Sequence, residues 1–290
     1  MAVTSDYTAL SSDPNQPLLN RAEFQSYDIG SLFTIVTAAA AIEEDLGDFV
    51  VPSIERVTPL EGSQAIVHDG GACGGDLESL LITNCSPGWA TIGTKIGGGK
   101  LNDVSQRLGL TRTSPVRLDG SPKGTLETES LNSSASYAAV GEGLKATPLQ
   151  VAHLFATIAN GGVRMQPHAV SRVRTYDGKV LEEFTLNPLR QSLSKETAAE
   201  LRQLLAENVV SGTAQNLSIN GTPVGGMVAT QFLGKHGWAV TIAPVTLPDL
   251  VVAVLLEDDS FSDQQVAEAN VAAVARRITE AVLRLPSFKV

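Results

Sequence analysis

The sequence predicts an α/β (α+β) fold in which helices cover an antiparallel sheet. Three observations carry this. Three apolar runs late in the chain, 222–231, 238–243 and 250–257, are joined by connections too short for crossover helices, so they read as an antiparallel meander. The run from Ser31 to Glu44 is apolar nearly all round, which suits a helix buried on most faces. Residues 76–109 alternate apolar and polar at helical spacing, interrupted by Pro87 and by Gly97, Gly98 and Gly99, which predicts two or three short helices.

The remaining elements follow from local signals. Residues 1–29 are polar and irregular, with turn residues at Asp13, Pro14 and Pro17. Residues 48–72, rich in Val, Ile, Pro and Gly, read as short strands and turns, and 111–140 as a polar surface excursion. Thr147 supplies an N-cap with Pro148 at the first helical position, and Asn160 and Gly161 stop that helix. A second capped helix runs from Ser194 to Val209 with a stripe at Leu201, Leu204 and Leu205. Residues 262–284, with Val266, Ala269, Ala273, Ile278 and Val282, predict a closing helix that lies across the sheet.

Composition bounds the function. With 290 residues, 43% of them apolar, the chain can bury the core of one large domain. The 31 acidic and 21 basic residues give a net charge of −10 without a Lys/Arg-rich run, which argues against a nucleic-acid or anionic-membrane surface. No apolar run reaches the roughly 18–20 residues that span a bilayer. Cys73 and Cys85, 12 positions apart, permit either a loop-closing disulfide or two buried thiols. Two cysteines and the scattered His68, His153, His168 and His236 show no metal-ligand spacing, and no metal or organic cofactor is expected.

The stretch Gly141-Glu142-Gly143 to Gln150, ending in Asn160-Gly161-Gly162-Val163, resembles the segment below the active site of penicillin-binding protein transpeptidases. Tyr27 to Ala40 is similar to the surroundings of that family's nucleophile, especially in class B, actinobacterial elongation-type members. The resemblance covers Asp13 to Leu283. It implies the β-lactamase/transpeptidase-like arrangement: a sheet with helices on both faces, an all-helical subdomain inserted at about 50–145, and a cleft between them. It also implies one domain over 1–290 with a remnant or linker at 1–25. An extracytoplasmic setting, and membrane anchorage through a segment absent here, are further expectations.

The family's catalytic motifs are only partly present. A nucleophilic Ser with Lys three positions on places both side chains toward one cleft, where Lys serves as base. Ser31 stands at the nucleophile position, but Thr34 occupies the lysine position. A serine at a helix start can equally cap the helix. The Ser-x-Asn motif falls on Asn84-Cys85-Ser86, with its polar residues exchanged. The Lys-Thr-Gly strand falls on Met227, Val228, Ala229 and Thr230, which removes the cation that holds a substrate carboxylate.

Other matches have structural readings. Ser192 and Lys195 fit Ser-x-x-Lys but precede a helix as capping residues, while Ser130 and Asn132 fit Ser-x-Asn within the excursion. Lys235, in a Lys-x-Gly match, is a candidate substitute base. Lys95 and Lys100 read as solvated helix-end charges, and Trp89, His236 and Trp238 as core. Loss at three motifs together implies a non-catalytic domain that works as scaffold or binding module in peptidoglycan synthesis. Its expected partners are cell-wall synthesis or division/elongation proteins and the peptidoglycan stem peptide. The alternative is an active acyl-serine D,D-transpeptidase or hydrolase that uses Ser31 with an unorthodox base.

Overall fold

The computed structural model describes residues 9–14, 16–60, 63–110, 135–231, 236–257 and 264–286. The apolar run of the first half divides into a tight 3-10 turn, Gly30–Phe33, and helix α1, Thr34–Glu43. All residues of α1 from Thr34 to Ala41 are buried, as expected of a helix without a polar face. Helices α2 (Leu77–Ile82), α3 (Ser86–Ile96) and α4 (Gly98–Leu108) follow as one helical layer. Two short antiparallel ladders lead into it, Val51–Ile54 with Cys73–Gly75 and Arg56–Val57 with Ile66–Val67.

Helix α5 (Pro148–Ala159) begins with a full capping box. Thr147 Oγ1 accepts from the Gln150 amide while the Gln150 side chain accepts from the Thr147 amide. Helix α6 (Lys195–Val210) is capped by Ser194, whose hydroxyl accepts from the Thr197 amide. Ser192 Oγ donates to the Arg107 carbonyl at 2.6 Å, so the Ser-x-x-Lys match of this run serves structure. Arg107 of α4 also pairs with Glu43 at the end of α1 and reaches the Ser192 carbonyl, tying three segments together. Lys100 adds a 2.8 Å contact to Glu44, and Lys95 lies 4.4 Å over the Phe49 ring, so both do more than face solvent.

Strands β1 (Gly225–Gln231), β2 (His236–Ala243) and β3 (Leu250–Glu257) form the antiparallel meander in that order. Ala229 lies opposite Trp238, and Trp238 opposite Leu255. Period-two alternation sorts the side chains. Met227, Ala229, Trp238, Val240 and Ile242 join the large core with α1, α5 and α6. Val228, Ala239 and Ala243 join a smaller core against helix α7 (Gln264–Leu283). The result is the helix–sheet–helix layering of the expected fold.

Helix α7 differs from expectation in phase. Its buried face is Ala267, Val271, Ala272, Ala275 and Thr279, while Val266 and Ile278 are exposed. Alanines let the helix approach the sheet closely, so its larger apolar residues did not mark the inner face. The Cys73 and Cys85 sulfurs are joined in a disulfide, which fastens the end of one ladder to the loop between α2 and α3. Closing a loop across a sequence separation of 12 removes chain entropy from the unfolded state. The double substitution Cys73→Ser/Cys85→Ser is expected to lower unfolding free energy by about 3 kcal/mol while the fold persists. Urea titrations with and without reductant check this, since reductant should then affect only the parent.

Candidate functional site

The turn that carries Ser31 is held from below and behind. Tyr27 and Asp28 pair with Ala146 and Lys145, and the Ile29 amide donates to the Leu144 carbonyl at 2.8 Å. The Asp28 carbonyl accepts from Trp238 Nε1 at 2.9 Å and from His236 Nε2 at 3.1 Å, both on β2. Gly141, at φ +84°, packs so closely that a Cβ there would stand 1.9 Å from the Gly30 carbonyl oxygen. Only glycine fits the requirement for both a left-handed backbone and this approach.

Ser31 is half-buried and lines a cleft of about 790 Å³. Neither its 3-10 turn nor α1 has a side-chain cap, so the capping role read for Ser31 from sequence does not hold: the residue sits inside the turn. Thr34 is 2% exposed, and its hydroxyl donates to the Ser31 carbonyl at 2.7 Å. The side chain at the lysine position thus bonds backbone.

Asn84 and Ser86 border the same cleft. Asn84 has φ +50°, a left-handed conformation that Asn tolerates better than most side chains, so the backbone of this loop accounts for an asparagine there. The Cys85 amide donates to the Leu80 carbonyl at 2.9 Å, as does Trp89 Nε1 at 3.2 Å, and the disulfide completes the loop's anchorage. On β1, Thr230 lines the cleft and donates to Glu268 at 3.2 Å. Met227, Val228 and Ala229 are 3%, 6% and 2% exposed, in the two cores. The apolar residues of the third motif fill the interior instead of bordering the cleft.

Lys235, Ser130 and Asn132 lie outside the described residues. Trp89 and Trp238 are fully buried and His236 is 5% exposed, in keeping with core roles. No group of three His, Cys, Asp or Glu side chains could hold a metal among the described residues.

Sequence reasoning missed several cleft residues. Glu142 lies beside the Gly141–Gly30 contact, and partial desolvation in the cleft raises its carboxyl above its ordinary value. Thr213 lines the cleft from the loop after α6. Buried Asn208 holds that loop, its amide nitrogen donating to the Gly226 carbonyl at 3.0 Å and its oxygen accepting from the Thr213 amide at 3.2 Å. A polar residue late in an amphipathic helix was the available signal for Asn208.

A profile of the penicillin-binding protein transpeptidase domain matches residues 2–280. The chain belongs to that family. The peptidoglycan D,D-transpeptidase PbpA of Mycolicibacterium smegmatis is 30% identical over 95% of this chain and 59% of its own length. Stage V sporulation protein D of Bacillus subtilis is 25% identical, over 88% of this chain and 41% of its own length. The chain therefore spans 59% of the length of the first of these relatives and 41% of the second. The D,D-transpeptidase domain of a peptidoglycan glycosyltransferase from Eggerthella lenta superposes with a TM-score of 0.83 at 28% identity, covering 97% of this chain and 70% of that one. Among the described residues no helix is long and apolar enough to cross a membrane.

The raised Glu142 carboxyl has a stability consequence. A carboxyl that binds its proton more tightly when folded favours folding below the unfolded value of about 4.3 and loses that contribution as pH rises through the folded value. Glu142→Gln is expected to be somewhat more stable than the parent at pH 7 and equal to it near pH 3. Water still reaches this side chain, which keeps the gain small. Thermal unfolding of both proteins across that range checks the sign.

Proposed function

We propose that this chain is a non-catalytic member of its family, a transpeptidase-like domain that serves peptidoglycan synthesis as scaffold or binding module. The observation that carries the reading is the occupancy of the two cationic positions. At one, Thr34 donates its hydroxyl to the Ser31 carbonyl, and at the other Met227 is packed into the core. A threonine hydroxyl has no useful basicity near neutral pH, and a thioether cannot hold a carboxylate. General-base assistance contributes about 10²–10⁴-fold, and groups that act as a unit fail together.

The relatives support the setting. PbpA of Mycolicibacterium smegmatis is named a peptidoglycan D,D-transpeptidase, and the Bacillus subtilis relative a sporulation protein. The proposed module works on the extracytoplasmic face of the membrane, with cell-wall synthesis or division/elongation proteins as partners. A second reading, acyl transfer by Ser31 with an unorthodox base, draws on the exposure of Ser31 to the cleft.

Intact-protein mass spectrometry after prolonged incubation with a fluorescent penicillin separates the two. The expected result is no adduct on the parent, and none on Thr34→Lys, because one restored cation leaves position 227 apolar. A stoichiometric adduct on the parent that disappears in Ser31→Ala overturns the proposal and establishes the second reading.

A further inference from the structure

Two asparagines of the chain precede glycine, Asn160 before Gly161 and Asn220 before Gly221. Such a pair carries chemistry of its own. The glycine nitrogen can close a ring on the asparagine side-chain carbonyl carbon, and no Cβ on the glycine obstructs the approach. The two pairs are held very differently. Asn160 ends α5, its amide N–H donating to the Ala156 carbonyl at 2.9 Å and its Nδ2 to the Val163 carbonyl at 3.0 Å. The peptide unit after Gly161 is bonded at both ends, the Gly161 carbonyl accepting from Gln191 Nε2 at 3.0 Å and the Gly162 amide donating to the Thr157 carbonyl at 2.9 Å.

Asn220 and Gly221 are both exposed, in a turn closed by an isolated antiparallel bridge between Ile219 and Thr222, where the Thr222 amide donates to the Ile219 carbonyl at 3.2 Å. Among the described residues, no hydrogen bond holds the Asn220 side chain, and the Gly221 amide donates to no backbone carbonyl. Gly221 has φ +76°, and a Cβ built on it would meet nothing within 4 Å, so the amide has room to swing toward its neighbour's side chain. We propose that Asn220 is a site of spontaneous deamidation, and that the folded structure protects Asn160 from the same reaction. The Gly221 nitrogen bonds to Asn220 Cγ as the Cγ–Nδ2 bond breaks, and the proton given up by the Gly221 amide leaves with Nδ2 as ammonia. Water then opens the resulting succinimide at either carbonyl, which yields aspartate or isoaspartate. Both products place a carboxylate where a neutral amide stood. Isoaspartate also adds a methylene to the main chain between Ile219 and Thr222, so the bridge that closes the turn loses its register. Residues 219–222 do not line the Ser31 cleft, so the proposal is independent of any reading of that cleft.

Peptide mapping by mass spectrometry tests it on the whole protein during prolonged incubation in mildly alkaline buffer, with Asn160 as the internal control. In the folded protein, aspartate and isoaspartate are expected at position 220 about tenfold faster or more than at position 160, because Asn160 reacts only after local opening. In guanidinium-denatured protein both side chains are free, and the two rates are expected to agree within about threefold. The rate at Asn220 should fall in mildly acidic buffer, since the attacking nitrogen must give up its proton. Hydroxylamine, which cleaves a succinimide, should cut the incubated protein between positions 220 and 221, and Asn220→Gln should abolish both the conversion and the cut, because its longer side chain closes the ring far less readily. Circular dichroism verifies that this variant is folded. Equal rates at the two sites in the folded protein, faster conversion at Asn160, no conversion at Asn220, or a tenfold gap that persists in guanidinium each overturns the proposal.

Discussion

One backbone carbonyl organises the site. The Asp28 oxygen accepts from the ring nitrogens of Trp238 and His236, and both donors stand on the central strand of the sheet. The Tyr27 ring meets both aromatic partners edge-on, 6.2 Å from Trp238 and 5.7 Å from His236. The Tyr27 hydroxyl reaches Glu257 on the third strand at 2.9 Å. These contacts join the segment before Ser31 to strands more than 200 positions away. A buried carbonyl deprived of such donors costs about 1–3 kcal/mol, and here the loss would also release the turn that presents Ser31. The glycine turn at 141 packs directly on that pinned turn, against the Gly30 carbonyl.

What the sequence made legible was whatever is encoded locally. The Thr147–Pro148 helix start, the Ser194 cap and the three-strand meander each depend on neighbours in the chain, and each stands where it was read, with strand starts displaced by up to three residues. The phase of the last helix was not legible, because its buried face is built largely from alanines whose hydrophobicity is outweighed by exposed Val266 and Ile278. The strands at 172–174 and 180–183 are exposed and mix charged with apolar residues, so no alternation marked them. The cleft itself was half legible. Ser31, Asn84, Ser86 and Thr230 were reached through the family's motifs, whereas Asp69, Glu142 and Thr213 meet only through tertiary structure.

The altered motif positions are each fitted to their surroundings in a different way. Thr34 satisfies a carbonyl, Asn84 takes a left-handed backbone, and Val228 fills the space beneath the last helix. None of the three lacks a bonding, conformational or packing role. A substitution that breaks a mechanism leaves polar neighbours without partners unless packing adjusts, and buried polar groups without partners are what a fold tolerates least. Around Ser31 these three residues are each bonded, conformationally suited or packed.

Met227 gives the adjustment a direction. Its side chain belongs to the same apolar cluster as Phe33 and Trp238, at 3% exposure. An ammonium placed there would surrender its hydration to hydrocarbon with no carboxylate in that cluster to receive it, so the charge would be expelled or neutralised. The position accepts unbranched or branched hydrophobes of similar volume at little cost, whereas a lysine there would be costly. The interior at this position therefore selects for hydrocarbon, whatever ligand the cleft above it receives.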